Sequence, residues 1–307
     1  MDRDEKQEID SGVFIASLDG LTPKPMIILS GGEPLVRKDI FDLASALNAG
    51  GYRVSMATNG TLIDRETAVS IKKSGIARVA VSLDSCVEKI HDDIRGIPGS
   101  FSKALAGMEC LAESGIPFQV NMTLTRMNRK ETGDMVSLAI ELGACAIHFF
   151  ILVPVGCGME IPPAERIRSL EMEETLEELF REYTVGGIPM RVTCAPQFSR
   201  LLSVKEMDHG IERAGGGCLA GRSIIFVASD GSVYPCGYFP LECGDVKKDR
   251  IIDIWKTSPL LSALRKPWQL EGRCGKCAYG EVCGGCRARA YAETGNVFGE
   301  DPACPYY

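Results

Sequence analysis

No run of about eighteen consecutive apolar residues occurs anywhere in the chain, which excludes a membrane-spanning helix. The opening residues, Met1-Asp2-Arg3-Asp4-Glu5-Lys6, contain none of the apolar stretch a secretory signal peptide needs. A cytoplasmic protein is therefore expected. Nor is there a basic block: Lys and Arg are dispersed and the formal net charge is −7. That argues against nucleic acid, whose affinity rests on phosphate neutralisation. A small anionic substrate held by a few local arginines is compatible with it.

What the sequence has in excess is cysteine. Thirteen are unusual for a reducing compartment, where disulfides rarely persist. Cys86, Cys110, Cys145, Cys157 and Cys194 are scattered through the first two hundred residues, and the other eight lie between Cys218 and Cys304. Such a concentration points to metal. Cys274, Cys277, Cys283 and Cys286 read C-x2-C-x5-C-x2-C, with Cys218 and Cys236 upstream and Cys304 downstream. Thiolates at two-residue intervals can converge on one centre. Zinc fits poorly, because a zinc ribbon separates its pairs by about fifteen to twenty residues and one tetrahedral zinc takes four ligands, not seven. Two four-iron clusters need eight thiolates, or seven and one open or non-cysteine position. Cys243 is either the eighth ligand or a packed core thiol, while Cys86, Cys110 and Cys145 read as small buried hydrophobes.

From about residue 26 to 152 one pattern recurs: an apolar strand, a polar turn and an amphipathic helix ended by glycine. Met26–Ser30 is a strand expected to be covered on both faces. Ile40, Leu43 and Leu47 mark a helix stopping at Gly50-Gly51. Val54 and Met56 mark the next strand, and Asp64 caps a helix running to Gly75. Strands follow at 77–83, 118–124 and 146–152, with helices from Ser100 to Gly115 and around Met135 and Leu138. A helix over 164–182 and a strand over 188–193 complete this part. Alternation of this kind implies a parallel sheet with right-handed crossovers. Either a barrel or a doubly wound layer satisfies it. The strand ends are polar: Ser30-Gly31-Gly32-Glu33, Thr58-Asn59-Gly60, and Ser82 with Asp84. Asn121 and Thr123 sit within the fourth strand. In parallel α/β folds such ends build the ligand site. Gly215-Gly216-Gly217 marks a boundary, beyond which cysteine, glycine and short strands dominate, with a hairpin at Asp230-Gly231.

Gly31-Gly32-Glu33-Pro34 after a buried strand resembles the GGEP motif of radical S-adenosylmethionine (SAM) enzymes. The tail, Cys218-x12-Gly231-x4-Cys236 followed by C-x2-C-x5-C-x2-C and Cys304, resembles the SPASM auxiliary-cluster domain. Its one departure is that Gly284-Gly285 leaves two residues, not three, before the sixth cysteine. Thr193-Cys194-Ala195-Pro196, Pro235-Cys236-Gly237-Tyr238-Phe239-Pro240, Cys283-Gly284-Gly285-Cys286-Arg287-Ala288-Arg289-Ala290-Tyr291 and Asp301-Pro302-Ala303-Cys304-Pro305 are similar to the haem-biosynthesis branch of these enzymes.

The resemblance implies an α/β fold: a partial (β/α) barrel of the radical SAM type lacking its first strand (1–214), then a small cysteine-rich SPASM-like domain (215–307). It implies that Gly31, Gly32 and Glu33 place the methionine end of SAM, with Ser82 and Asp84 beside its ribose and Asn121 near its carboxylate or ribose. Cys218, Cys236 and Cys286 would hold one auxiliary [4Fe–4S] cluster, with an open iron site, and Cys274, Cys277, Cys283 and Cys304 the other. The implied activity is oxidative decarboxylation of two propionates of iron-coproporphyrin III to vinyl groups, with a ferredoxin or flavodoxin as electron donor. Removal of acetate carboxylates from a siroheme derivative, peptide modification, and cluster or tetrapyrrole binding without catalysis are the alternatives. Arg126, Arg191, Arg222, Arg287 and Arg289 are candidate partners for substrate carboxylates. Of the histidines, His148 reads as a packed strand residue and not an axial haem ligand; His91 and His209 carry no role. The CxxxCxxC motif that holds the SAM-cleaving cluster does not occur. It belongs on the loop before the GGEP strand, so the sequence reads as truncated ahead of Met1, with 4–18 as the first helix.

Overall fold

The computed structural model of the protein describes residues 8–204 and 217–306. His209, Gly215, Gly216 and the start of the helix expected over 4–18 lie outside them. The chain divides into two compact units. One is Leu21–Phe150 with Arg181–Arg191; the other is Met1–Gly20 with Ile151–Phe180 and Val192–Tyr307.

The strands of the six-stranded sheet are β1 (Ile27–Leu29), β2 (Val54–Thr58), β3 (Val79–Ser82), β4 (Phe118–Leu124), β5 (Ala146–Ile151) and β6 (Met190–Thr193). Their spatial order is their chain order. The first four pair in parallel, with Leu29 opposite Met56, Thr58 opposite Val81 and Ser82 opposite Asn121. A doubly wound sheet reverses its order at a switch point. Here no reversal occurs, so right-handed crossovers lay each helix on the same side, and the sheet curls as a half-barrel. The barrel is thus chosen over the open layer.

The helices that follow these strands are α2 (Ile40–Ala49), α3 (Arg65–Lys73), α4 (Glu88–Arg95), α5 (Ser100–Glu113) and α6 (Thr132–Glu141), after α1 (Ser11–Ser17) in the other unit. Ile40, Leu43 and Leu47 of α2 are buried as the periodicity requires. Asp64 caps α3 by accepting from Thr67 N at 2.8 Å. Along β4 every second residue is buried, from Phe118 through Leu124. α4 has no counterpart in the sequence expectations. Its sequence, EKIHDDIR, offers only Ile90 and Ile94 at helical spacing, and it is fixed by polar contacts: His91 Nδ1 accepts from Asp84 N at 3.0 Å, and Asp92 accepts from Ser100 Oγ and Phe101 N at 2.9 Å. The expectation that β1 is covered on both faces is corrected. Among the described residues β1 pairs only with β2, at the sheet edge, and Ile28 is 55 % exposed.

α7 begins at Ser169 in the second unit and runs to Val185, later than the expected 164 because Pro162 and Pro163 open a 3₁₀ turn first. α8 spans Gln197–Val204. A three-stranded antiparallel sheet follows, β7 (Phe226–Val227), β8 (Ser232–Tyr234) and β9 (Gly244–Asp245). The hairpin expected at Asp230-Gly231 joins β7 to β8, with Gly231 at φ +93°, a conformation open to glycine. The tail then forms α9 (Ile251–Thr257), α10 (Pro259–Leu264), α11 (Gly272–Lys276) and α12 (Arg287–Thr294). Among the described residues no helix is long and apolar enough to cross a membrane.

Candidate cluster and cofactor sites

The C-terminal ends of β1 to β4 bring the polar strand-end residues into one row. Gly31 is exposed at φ +139°, where only glycine is comfortable, and a Cβ built on it would meet nothing within 4 Å. The backbone there is open to a ligand. Glu33 turns the other way. Its Oε1 accepts from Leu35 N at 3.1 Å and Thr58 Oγ1 at 2.8 Å, and its Oε2 accepts from Asn59 N at 2.8 Å. It therefore ties the end of β1 to the end of β2 and satisfies the buried Thr58. Half-buried Ser82 and Asn121 face each other across β3 and β4, and Asn121 Oδ1 accepts from Gln119 Nε2 at 2.8 Å. Asp84 is 1 % exposed; its Oδ1 accepts from Thr123 N at 2.8 Å and its Oδ2 is ion-paired with Arg95 Nε at 2.7 Å. Asp84 thus joins β3 to β4 and α4.

None of the thirteen cysteines forms a disulfide, and in the second unit they fall into two groups. Cys274, Cys277, Cys283 and Cys304 line an open cleft of about 440 Å³ with Gln197, Arg200 and Asp301. Cys286 is buried with Val153, Ala220, Phe239, Leu264 and Ala288, and Cys194, Cys218 and Cys236 pack against that core. Cys243 is in neither group. The chemistry of each thiol is that of a ligand awaiting charge. Burial pushes Cys218, Cys236, Cys283 and Cys304 up, Cys236 and Cys283 to about 12, while backbone N–H groups pull the other way. Four of those amides, and a fifth on Cys277, sit at one offset. Cys218, Cys236, Cys277, Cys283 and Cys304 receive the N–H of Ala220, Tyr238, Tyr279, Gly285 and Tyr306, each two residues on. A turn that aims its amide at the preceding sulfur stabilises thiolate, as a cluster requires. Two four-cysteine groups suit two [4Fe–4S] clusters. Eight gathered cysteines exceed the four ligands of a single tetrahedral zinc.

Cys194 is the residue that spacing alone missed. It lies more than twenty residues ahead of Cys218, outside the regular motif, in the Thr193-Cys194-Ala195-Pro196 stretch. Its thiol donates to Cys286, which pulls Cys286 down and pushes Cys194 up. Its φ of +59° is unusual for a residue with a side chain, and Arg289 Nη2 holds its carbonyl at 2.6 Å. Strain over-determined by the surroundings is a mark of function.

Beneath both groups lies Asp301, 0 % exposed. Its Oδ2 accepts from Cys286 N at 2.8 Å, Gln197 Nε2 at 2.9 Å and Arg289 Nη1 at 3.0 Å. Burial alone would raise its carboxyl, but the Arg289 guanidinium and these hydrogen bonds hold it below the ordinary range. Arg287 and Arg289 are 5 % and 3 % exposed with their donors engaged, so the expectation that they meet substrate carboxylates is corrected. Arg126, Arg191 and Arg222 are exposed.

A sequence model described as Radical SAM superfamily matches residues 16–139, and one described as an iron–sulfur cluster-binding domain, SPASM, matches 218–287. An AdoMet-dependent heme synthase of Methanosarcina barkeri is 40 % identical over 292 residues, covering 92 % of this chain and 83 % of that protein. The chain belongs to the radical SAM superfamily. A second AdoMet-dependent heme synthase, from Oleidesulfovibrio alaskensis, is 36 % identical over 92 % of this chain and 75 % of its own length. In fold, the chain is similar to Streptococcus suis SuiB bound to S-adenosylmethionine, with a TM-score of 0.72 at 17 % identity, over 94 % of this chain and 68 % of that one. The partial barrel followed by a cluster domain is the architecture of radical SAM/SPASM enzymes, whose cofactors are [4Fe–4S] clusters and SAM.

Proposed function

We propose that this radical SAM protein acts in haem biosynthesis, oxidatively decarboxylating the propionates of iron-coproporphyrin III to vinyl groups. The observation that carries the reading is the pair of four-cysteine groups in the second unit, in a chain whose relatives at 36–40 % identity are named AdoMet-dependent heme synthases. Each propionate must lose a hydrogen atom, carbon dioxide and one further electron. Bound SAM supplies the hydrogen-abstracting radical.

The chain's own residues then have three tasks. Gly31 and Gly32 leave backbone open to the methionine end of SAM, with Glu33 fixing that loop, and Ser82, Asp84 and Asn121 form the adjoining strand ends. Cys274, Cys277, Cys283 and Cys304 hold one auxiliary cluster. Cys218, Cys236 and Cys286, joined by Cys194 as fourth ligand, hold the other, which removes the need for an open iron. Thiolates that accept two-on amides keep such a cluster able to receive the electron left after carbon dioxide departs. We take the barrel part as 1–214 and the cluster part as 215–307, with Cys194 contributed across that boundary. The protein would work in the cytoplasm, reduced by a ferredoxin or flavodoxin.

The test is anaerobic. The reconstituted chain should bind iron-coproporphyrin III saturably, read as a shift of its main absorbance band. Supplied with a CxxxCxxC segment ahead of Met1, SAM and a reductant, it should release 5′-deoxyadenosine and the vinyl product. Failure of both binding and product formation sinks the reading.

A further inference from the structure

Arg287 is a buried cation in want of an anion. Its Nη1 donates to the carbonyls of Val297 at 3.1 Å and Gly299 at 2.6 Å, its Nε to Gly285 O at 3.4 Å, and its Nη2 to Cys274 Sγ at 3.8 Å. Among the described residues no carboxylate pairs with it. Two residues on, Arg289 is equally buried, but Asp301 neutralises it at 3.0 Å. A guanidinium does not deprotonate in proteins, and an uncompensated buried charge is costly. The carbonyl contacts satisfy its hydrogen bonds without cancelling its charge. Among the described residues, the sulfur of Cys274, which lines the cysteine cleft, is the group of suitable sign within hydrogen-bond reach of its side chain.

We propose that Arg287 is the charge-compensating residue of the cluster held by Cys274, Cys277, Cys283 and Cys304, and that it raises that cluster's reduction potential. The inference rests on the cluster reading above and deepens it. A thiolate-ligated four-iron cluster is anionic and becomes more so on gaining an electron; no bond forms or breaks and no proton is taken up. A fixed cation beside one ligand sulfur therefore favours the reduced state. The charge of Arg287 also reaches Cys218 of the other group, but its direct contact is with Cys274 Sγ, so the Cys274 cluster feels it more strongly.

The experiment is an EPR-monitored redox titration with dithionite on the anaerobically reconstituted chain. Iron and sulfide are measured first, and the signal of interest is identified as the one lost in Cys277→Ala. In Arg287→Gln that signal should titrate at more negative potential, with at least a tenfold drop in the reduced-to-oxidised ratio at the wild-type midpoint (about 59 mV for one electron). The other signal should move less. Arg287→Lys, which keeps the charge, should shift by less than half as much. Full iron content with unmoved midpoints in the Gln variant overturns the proposal, as do equal shifts in the Gln and Lys variants. Should Arg287→Gln fail to hold its iron, retention by Arg287→Lys supports charge compensation, and loss in both overturns it in favour of a purely steric role. Wild-type protein free of iron and sulfide overturns the cluster reading itself, a result distinct from every variant effect.

Discussion

Cys194 keeps a left-handed backbone that costs on the order of 1 kcal/mol for a residue with a Cβ, and substitution shows what that conformation serves. Cys194→Ser should lower the iron of the reconstituted chain from about eight toward about four atoms, the content of one four-iron cluster. Cys157→Ser, at an exposed thiol, should change nothing; equal iron in both variants would remove Cys194 from the ligand set. His148 supplies a test of a different kind in the barrel unit. Burial, with Arg191 adding charge of the same sign, pushes its imidazole down to about 4. Between that value and the ordinary 6.5 the unfolded chain binds a proton that the folded chain does not. Stability must then rise with pH across this window and fall on acidification, by up to about 3 kcal/mol. His148→Gln should flatten that part of the curve, read as urea midpoints at pH 7 and 4.5. Parallel declines in the two proteins would show that another group is responsible.

Helix α5 packs so closely on the end of β2 that a Cβ at Gly107 would lie 2.3 Å from the carbonyl of Gly60. Gly107→Ala should therefore cost about 2 kcal/mol through overpacking, despite alanine's better helix propensity. The denaturant midpoint measures it, with exposed Ala106→Ser as the control on the same helix; a midpoint at or above wild type would refute the close approach. Elements of this kind were legible in the sequence where burial imposes a period. β4, with every second residue buried, was expected over the residues it occupies, and α3 was marked by its Asp64 cap. α4 was not read from the sequence, because only Ile90 and Ile94 mark its inner face and its place is set by contacts from His91 and Asp92 to residues up to nine positions away. Ile28 misled for the opposite reason. An apolar residue says nothing about whether a neighbouring strand covers it, and only the strand order showed β1 to be an edge.

Over the whole molecule the two units are built on different principles, and this decides what of the site could be read in advance. The barrel unit buries long apolar runs, including Val54, Met56, Val79, Val81, Met108, Leu111, Phe118 and Met122, all at 0–1 % exposure. The cysteine-rich tail buries fewer apolar side chains, Val233, Ile254 and Leu261 beside the cluster around Phe239 and Cys286, on short strands of two or three residues. Seven cysteines announced themselves by spacing. The proposed eighth ligand, Cys194, and the buried Arg287, Arg289 and Asp301 did not, since their contacts join segments up to about a hundred residues apart. A tail so poor in apolar core must draw its stability from the clusters it binds, because binding energy at such sites is folding energy. Removing iron with a chelator and oxidant should consequently loosen the tail and leave the barrel unit folded. Hydrogen exchange is the measurement: amides of β8 and α12 should lose protection on chelation, while those of β2, β3 and β4 keep theirs. If α12 stayed protected without iron, the thiols would be packing residues first and ligands second, and the tail would owe its fold to Phe239 and its neighbours alone.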